Sequence, residues 1–532
     1  MRFGLTCTAL TMALALAGCS SSAPEEAPTG DPSAPTPSPE DLPAPADISP
    51  ADFADEAEDI VGGLSDEELA GSVIIGTWAG TDTQAGVRLI TEHHLGGVIV
   101  MKDNLPETPE PAQVAGVTEA LAGARTEGRP VSIGVDQEGG PVSRLSTGAL
   151  PFPPLMALAA TGDLGLTAEA TAVQARDLTD LGFTIDFAPT ADVTTGPDDV
   201  TINVRSAGDD HEDVAEVVAS VVEGYWAGGM AGAAKHFPGH GRLGVDSHES
   251  LPVSTKSIDE LEDTDLLPFR SAVEAGVPMV MMGHIALPDA TTTPATLNEE
   301  AYSALRDTLD HDGVIVTDAL NMKAVPQDLG GGETVRALKA GADLALMPPD
   351  SAAAQQAVLA ALGSGDLKRD DLVEKAERVV AMQLATEEAQ RSVEAAGGSG
   401  SGGSEAVLTE VAEKSLTVLK GECEFPGTDS IDIVGGSEAE TAALTAAAED
   451  EGLRVGSGGT TVSLSPQTSA DVAVGTAAPW TMRSTSAPSA VTAYDDNPFA
   501  LRAVAKWLKG ELSAAGRLPV EYPGSDEAPD CA

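Results

Sequence analysis

Aromatic residues are scarce, 3% of a 532-residue chain. That composition argues against an aromatic-rich sandwich and favours Ala-, Gly- and Val-rich parallel strands alternating with helices. Basic residues are also few. With 29 Lys and Arg against 84 Asp and Glu the formal net charge is −55, a field that repels nucleic acid and anionic membrane surfaces and so excludes both as electrostatic partners. The carboxylates hydrate the surface and do not by themselves identify a substrate. Beyond the extreme N-terminus no apolar run approaches the length of a membrane span. Cysteine is limited to four residues. The length predicts two globular units, one large and one small.

What is present begins with an export signal, residues 1–18: Arg2, then apolar residues 5–17. Leu16, Ala17, Gly18 and Cys19 resemble the lipobox of bacterial lipoproteins. That resemblance implies lipid on Cys19 and anchoring at the outer face of the cell membrane. Cys7 would leave with the signal, so Cys423 and Cys531 are the remaining thiols; an oxidising compartment favours one disulfide between them over two inert thiols. Residues 19–50, rich in Pro, Ala and Ser, read as a disordered tether. Residues 397–404, GGSGSGGS, read as a Gly/Ser linker.

Between the linkers, residues 51–396 carry eight short apolar runs: 73–78, 97–101, 131–135, 183–187, 232–235, 279–282, 314–317 and 344–347. Helix-length segments separate most of them, which predicts a (β/α)8 TIM-like barrel. Asp136, Asp186, Lys235 with His236, His284 and Asp318 then end strands, and in such a barrel those ends share one face. Residues 405–532 alternate strands and helices in a smaller α/β sandwich domain, to which no chemistry is assigned.

Three segments carry the chemistry. KHFPGHGRLGVDSHESLP, residues 235–252, gathers Lys235, His236, His240, Asp246 and His248 on a loop shaped by Pro238 and several glycines. The Asp-Ser-His spacing lets Asp246 grip the imidazole of His248, so that it gives and then takes a proton. Zinc is the competing reading of these histidines, but the Pro-Gly break defeats a helical ligand spacing and no Cys is near. GVIVTDALNM, residues 313–322, delivers Asp318 from a strand end as a nucleophile, or else as a helix N-cap. GVDQEGGPVSRL, residues 134–145, offers Asp136 and Arg144 as hydrogen-bonding groups for sugar hydroxyls.

Together these segments resemble glycoside hydrolase family 3, most closely its NagZ-type β-N-acetylglucosaminidases, over about residues 55–390. The resemblance implies Asp318 as nucleophile, His248 with Asp246 as acid/base, and Asp136, Arg144, Arg205, Lys235 and His236 as sugar-binding residues, without metal or cofactor. The chain departs from the family pattern after Arg205–Ser206, where Ala207 and Gly208 replace the usual aromatic, and at Pro141, where the family often has Arg. Residues 490–520 resemble, more loosely, the α/β sandwich of longer members. The implied activity is retaining, exo-acting release of terminal β-linked GlcNAc from peptidoglycan fragments. A family 3 β-glucosidase or xylosidase and a GlcNAc phosphorylase are the enzyme alternatives, and a non-catalytic sugar-binding lipoprotein is the alternative of another class. The oligomeric state stays open, with a monomer expected.

Overall fold

The computed structural model describes residues 48–531 apart from 126–127, 328 and 398–400. The export signal, Cys19 and the tether up to residue 47 lie outside the described residues. The predicted tether runs a little too far: Ile48 is buried, and Ser49 caps a 3-10 turn over Pro50–Phe53.

All eight apolar runs are strands, in register: β1 (Ile74–Gly76), β2 (Gly97–Ile99), β3 (Ser132–Val135), β4 (Ile185–Asp186), β5 (Ala231–Phe237), β6 (Met279–Met282), β7 (Val314–Thr317) and β8 (Ala345–Leu346). They pair in parallel from β1 to β7 in chain order, and β8 pairs with β1. A parallel bridge between Val316 and Leu344 closes the ring, with Thr317 N donating to Leu344 O at 3.0 Å. The result is a parallel eight-stranded barrel.

Alternation along each strand explains how it fills. Ile75, Ile99, Ile185, Phe187, Ala233, Met279, Met281, Val314, Val316 and Leu346 make one apolar cluster inside the ring. Their neighbours Val98, Ile133, Val135, Ala234, Val280, Met282 and Ile315 pack outward on the helices. Strand β3 gives a glycine to the interior: a Cβ on Gly134 would stand 2.7 Å from the Phe187 ring, so the ring needs that space. Val379 and Met382 of the long helix Arg369–Ala395 join the inner cluster. They plug the end opposite the C-terminal strand ends, where Gln383 Nε2 donates to Gly96 O and Ser132 Oγ at the starts of β2 and β3.

The second domain is a six-stranded sheet in the order Thr417–Lys420, Ser489–Thr492, Val472–Gly475, Thr460–Ser463, Ser430–Val434, Arg454–Val455, parallel except for its first pair. The helices Glu438–Asp450 and Pro498–Leu508 contribute to its core. Cys423 and Cys531 are disulfide-bonded across 108 residues.

The linker reading needs correcting. Residues 401–404 belong to a helix, Ser401–Ser415, whose Leu408, Val411 and Ala412 are buried with Phe499 and Ala503 of the second domain. Composition alone marked those serines and glycines as coil, but the amphipathic sequence after them propagates a helix backwards and docks it. Among the described residues no helix is long and apolar enough to cross a membrane.

Candidate active site

The groups at the C-terminal strand ends form four connected clusters. In the first, Asp136 and Glu138 stand two residues apart just beyond β3, Glu138 in a short hairpin (Gln137–Gly139 with Val142–Ser143). Lys235, on β5, lies between them, with Nζ 3.2 Å from Asp136 Oδ1 and 2.6 Å from Glu138 Oε1. Arg205 grips Glu138 bidentately, Nε and one terminal nitrogen each at 2.8 Å. Arg144 reaches Asp136 at 3.4 Å. Burial pushes the Glu138 carboxyl up, but Arg205 and Lys235 outweigh it and hold that carboxyl well below the usual range. Burial likewise lowers Lys235 while Glu138 and Asp136 raise it further, so the ammonium persists.

The second cluster centres on Asp192. Its Oδ2 lies 2.7 Å from His236 Nδ1, and its Oδ1 accepts from the main-chain nitrogens of His236 and His240, at 3.1 and 2.6 Å. A buried carboxylate thus fixes both ends of the HFPGH turn. His240 Nε2 continues to Ser247 Oγ at 3.2 Å, and burial depresses the His240 pKa.

Ser247 stands inside the third cluster. Asp246 Oδ1 accepts from His248 N and lies 2.8 Å from His248 Nδ1. The side chain of His248 is 64% exposed, whereas every other histidine of the rim is buried. Burial raises Asp246, but the His248 main-chain and ring nitrogens outweigh that and lower it, so the partner of His248 stays ionised. The loop is tied at its base: Asp265 is buried and accepts from Arg242 Nε at 3.0 Å, while a second Arg242 nitrogen lies 2.9 Å from His211 Nε2. At its rim, Glu249 pairs with Lys323 at 2.8 Å.

The fourth cluster is Asp318. No helix follows it directly, the next beginning at Gly332, so the N-cap reading has no helix to cap. Oδ1 accepts from Ala319 N at 2.7 Å. His284 is wedged between Thr296 Oγ1 and Ala319 O, at 2.8 and 2.9 Å, which props the peptide beside Asp318. Burial raises the Asp318 pKa, but the charges of His284, His236 and His248 and the Ala319 N–H bring it below the ordinary value. Asp318, ending β7, and His248, on the loop after β5, therefore lie on the same side of the barrel.

Asp136, Arg144, Lys235, His236, Asp246, His248 and Asp318 stand on one rim, and Arg205 joins them through Glu138. Asp186 has a different place: it is fully buried, accepting from Gln137 N at 2.9 Å and Tyr225 OH at 3.1 Å. It supports the floor. Glu138 and Asp192 were missed from the sequence. Glu138 had a readable signal, since i and i+2 share a face in an extended segment; Asp192 reaches His236 across 44 residues and had none. Among the described residues no group of three or more His, Cys, Asp or Glu is arranged to hold a metal ion.

A (β/α)8 barrel whose rim presents a buried carboxylate, a carboxylate-paired histidine on a loop and an Asp-Lys-Arg cluster offers the kinds of group that glycoside hydrolysis uses, and the comparisons with known proteins place the chain in that class of enzyme. Residues 66–382 match the model described as glycosyl hydrolase family 3 N terminal domain, more than half of the chain. The chain belongs to that family. It is 35% identical over 293 residues to beta-hexosaminidase LpqI of Mycobacterium tuberculosis (strain ATCC 25618 / H37Rv), covering 53% of this chain and 72% of that protein. Identity is also 35% over 283 residues with beta-hexosaminidase A of Pseudoalteromonas piscicida, 49% of this chain; the match spans only 47% of that longer relative. Among solved structures, a glycoside hydrolase family 3 beta-N-acetylglucosaminidase from Paenibacillus sp. str. FPU-7 superposes with a TM-score of 0.75 at 30% identity, over 86% of this chain and 99% of that one. That likeness extends into the second domain. M tuberculosis LpqI superposes with a TM-score of 0.56 at 29% identity, over 62% of this chain and 96% of that one.

Proposed function

We propose that this chain is a retaining exo-β-N-acetylglucosaminidase that removes terminal β-linked GlcNAc from peptidoglycan fragments. The observation that carries the reading is a buried carboxylate, Asp318, at the C-terminal end of β7 on the side of the barrel where the loop after β5 carries His248 paired to Asp246 at 2.8 Å. The relatives named above supply the N-acetylhexosaminide preference. The export signal and the lipid proposed on Cys19, which would hold the enzyme on the outer face of the cell membrane, favour a cell-wall glycan; a monomer suffices for this site.

Asp318 attacks the anomeric carbon while the protonated imidazole of His248 gives its proton to the departing glycosidic oxygen. The bond to the aglycone breaks as the ester to Asp318 forms. The neutral imidazole then takes a proton from water, whose oxygen displaces the Asp318 carboxylate at the same carbon, and the sugar leaves with its configuration retained. Asp136, Arg144, Lys235 and His236 bind the hydroxyls and amide, and Arg205 fixes their geometry through Glu138.

A neutral imidazole does not repel an anionic acceptor as a carboxylate would, so the assay includes phosphate. Chromogenic N-acetyl-β-glucosaminide should release free GlcNAc with or without phosphate, and the β-glucoside should react far more slowly. Accumulation of GlcNAc 1-phosphate would replace hydrolysis by phosphorolysis, and turnover of the glucoside alone would refute the substrate. Asp318→Ala should lower kcat by at least about a thousandfold while leaving the unfolding midpoint close to wild type; retained turnover would remove Asp318 from the nucleophile's role.

A further inference from the structure

The loop that follows β4, residues 192–209, carries two anchors of the sugar-binding half: Asp192 at its start and Arg205 near its end. It is folded upon itself. Ser206 Oγ donates to Asp192 O at 2.7 Å, Thr194 N donates to Gly208 O at 3.1 Å, and the Asp199 carboxylate accepts from three successive main-chain nitrogens, Thr201 to Asn203. A displacement of this unit would therefore move Asp192 and Arg205 together.

The outer side of the loop is held by the second domain. Residues 517–522 form a strap that starts on the helix Leu155–Ala160, where Arg517 N donates to Ala160 O at 2.8 Å, and reaches the loop through Asp209 N to Pro519 O at 3.3 Å and Glu521 N to Asp209 Oδ2 at 2.7 Å. Val520 and Tyr522 of the strap pack with Trp480 and Tyr494 of the same domain against Val204 and Met156 of the barrel. Val204 immediately precedes Arg205. At Gly208 a Cβ would come within 2.5 Å of Pro519 O, so the strap lies against bare backbone. Beyond it the tail ends in the Cys423–Cys531 disulfide.

We propose that the second domain is a brace for sugar binding: through residues 517–522 it positions Arg205 and Asp192, and through them Glu138, Lys235 and His236. Asp209, Val520 and Tyr522 are its positioning residues. The proposal rests on the reading that these groups hold the sugar. Asp318 and His248 lie on other elements, so the brace acts first on KM; what reaches kcat does so only through His236 and the Asp192–His240–Ser247 chain.

The test uses the full oxidised chain and whichever chromogenic glycoside it turns over, with amide hydrogen exchange as a readout independent of activity. Asp209→Ala should raise KM about fivefold, since only part of the energy of the lost hydrogen bond is transmitted to the sugar-binding groups. It should leave kcat within about twofold, and speed exchange at residues 194–209 but not in β7. Asp209→Asn, which keeps an acceptor oxygen, should restore both; Val520→Ala should act in the same direction as Asp209→Ala through packing. Unchanged KM and exchange in Asp209→Ala and Val520→Ala would overturn the brace, as would a loss confined to kcat. If the wild-type chain cleaved no glycoside the substrate reading would fall, while the exchange comparison would still decide the brace.

Discussion

Asp186 shows how a residue that never meets the substrate sets conditions for those that do. Burial raises its pKa to about 7, against the pull of the Gln137 N–H and the Lys235 charge. The unfolded carboxyl ionises near 3.8, so folding takes up a proton between the two values. The stability this contributes is complete below about pH 4 and is lost as the pH rises through about 7. Asp186→Asn keeps an acceptor for Gln137 N and removes the titration. Urea unfolding of variant and wild type at pH 5 and pH 8 should show the variant gaining a few kcal/mol relative to wild type at the higher pH; an unchanged difference would place the ionisation elsewhere. At this scale the sequence was partly legible. Asp318, Lys235 and the DSH pair could be read because each is local: a strand end, or two side chains two residues apart. Asp186 also ends a strand, yet its partner Tyr225 lies 39 residues on, and only the fold distinguishes floor from rim.

At the scale of elements, residues 239–257 form an arch whose two feet meet one carboxylate: Arg242 at 3.0 Å and Lys256 at 3.9 Å from Asp265. Arg242 also donates to His211 Nε2, which requires a neutral ring; burial and the Arg242 charge both depress the His211 pKa and keep it so. Arg242→Ala should loosen the arch that carries His248. Protonation of the leaving oxygen matters most for a poor leaving group. The variant should therefore lose about tenfold in kcat/KM on an alkyl or saccharide aglycone and much less on a nitrophenyl one. Equal losses on both would assign Arg242 to general stability instead. The strands of the barrel were legible as apolar runs because both sheet faces are buried. In the second domain, Arg454–Val455 and Thr460–Ser463 carry little apolar signal, being short and separated by a Gly-rich turn, and the helix after 400 was hidden by its glycines.

The whole molecule is governed by its charge. With −55 on 532 residues, the folded surface repels itself, and salt screens that repulsion over a Debye length that falls from about 10 Å at 0.1 M to about 3 Å at 1 M. Pairs built on a buried carboxylate, such as Asp343 with Arg306 and Arg378, are less open to the same effect. Thermal unfolding should therefore shift upward by several degrees between low salt and 1 M sodium chloride; a downward shift would mean that exposed ion pairs outweigh the repulsion. Composition made this property readable, whereas the docking of the two domains was not, because it depends on Gly208, Val204 and a strap that carry no local signature.

The two side chains to which the proposed reaction assigns bond making and proton transfer are built into parts of very different rigidity. Asp318 is buried at the end of a barrel strand, where almost any change disturbs the packed interior; His248 hangs on an exposed arch outside it. Substitutions in the arch can therefore sample new leaving groups one at a time without disturbing the packed strand end that holds the carboxylate proposed to form the bond.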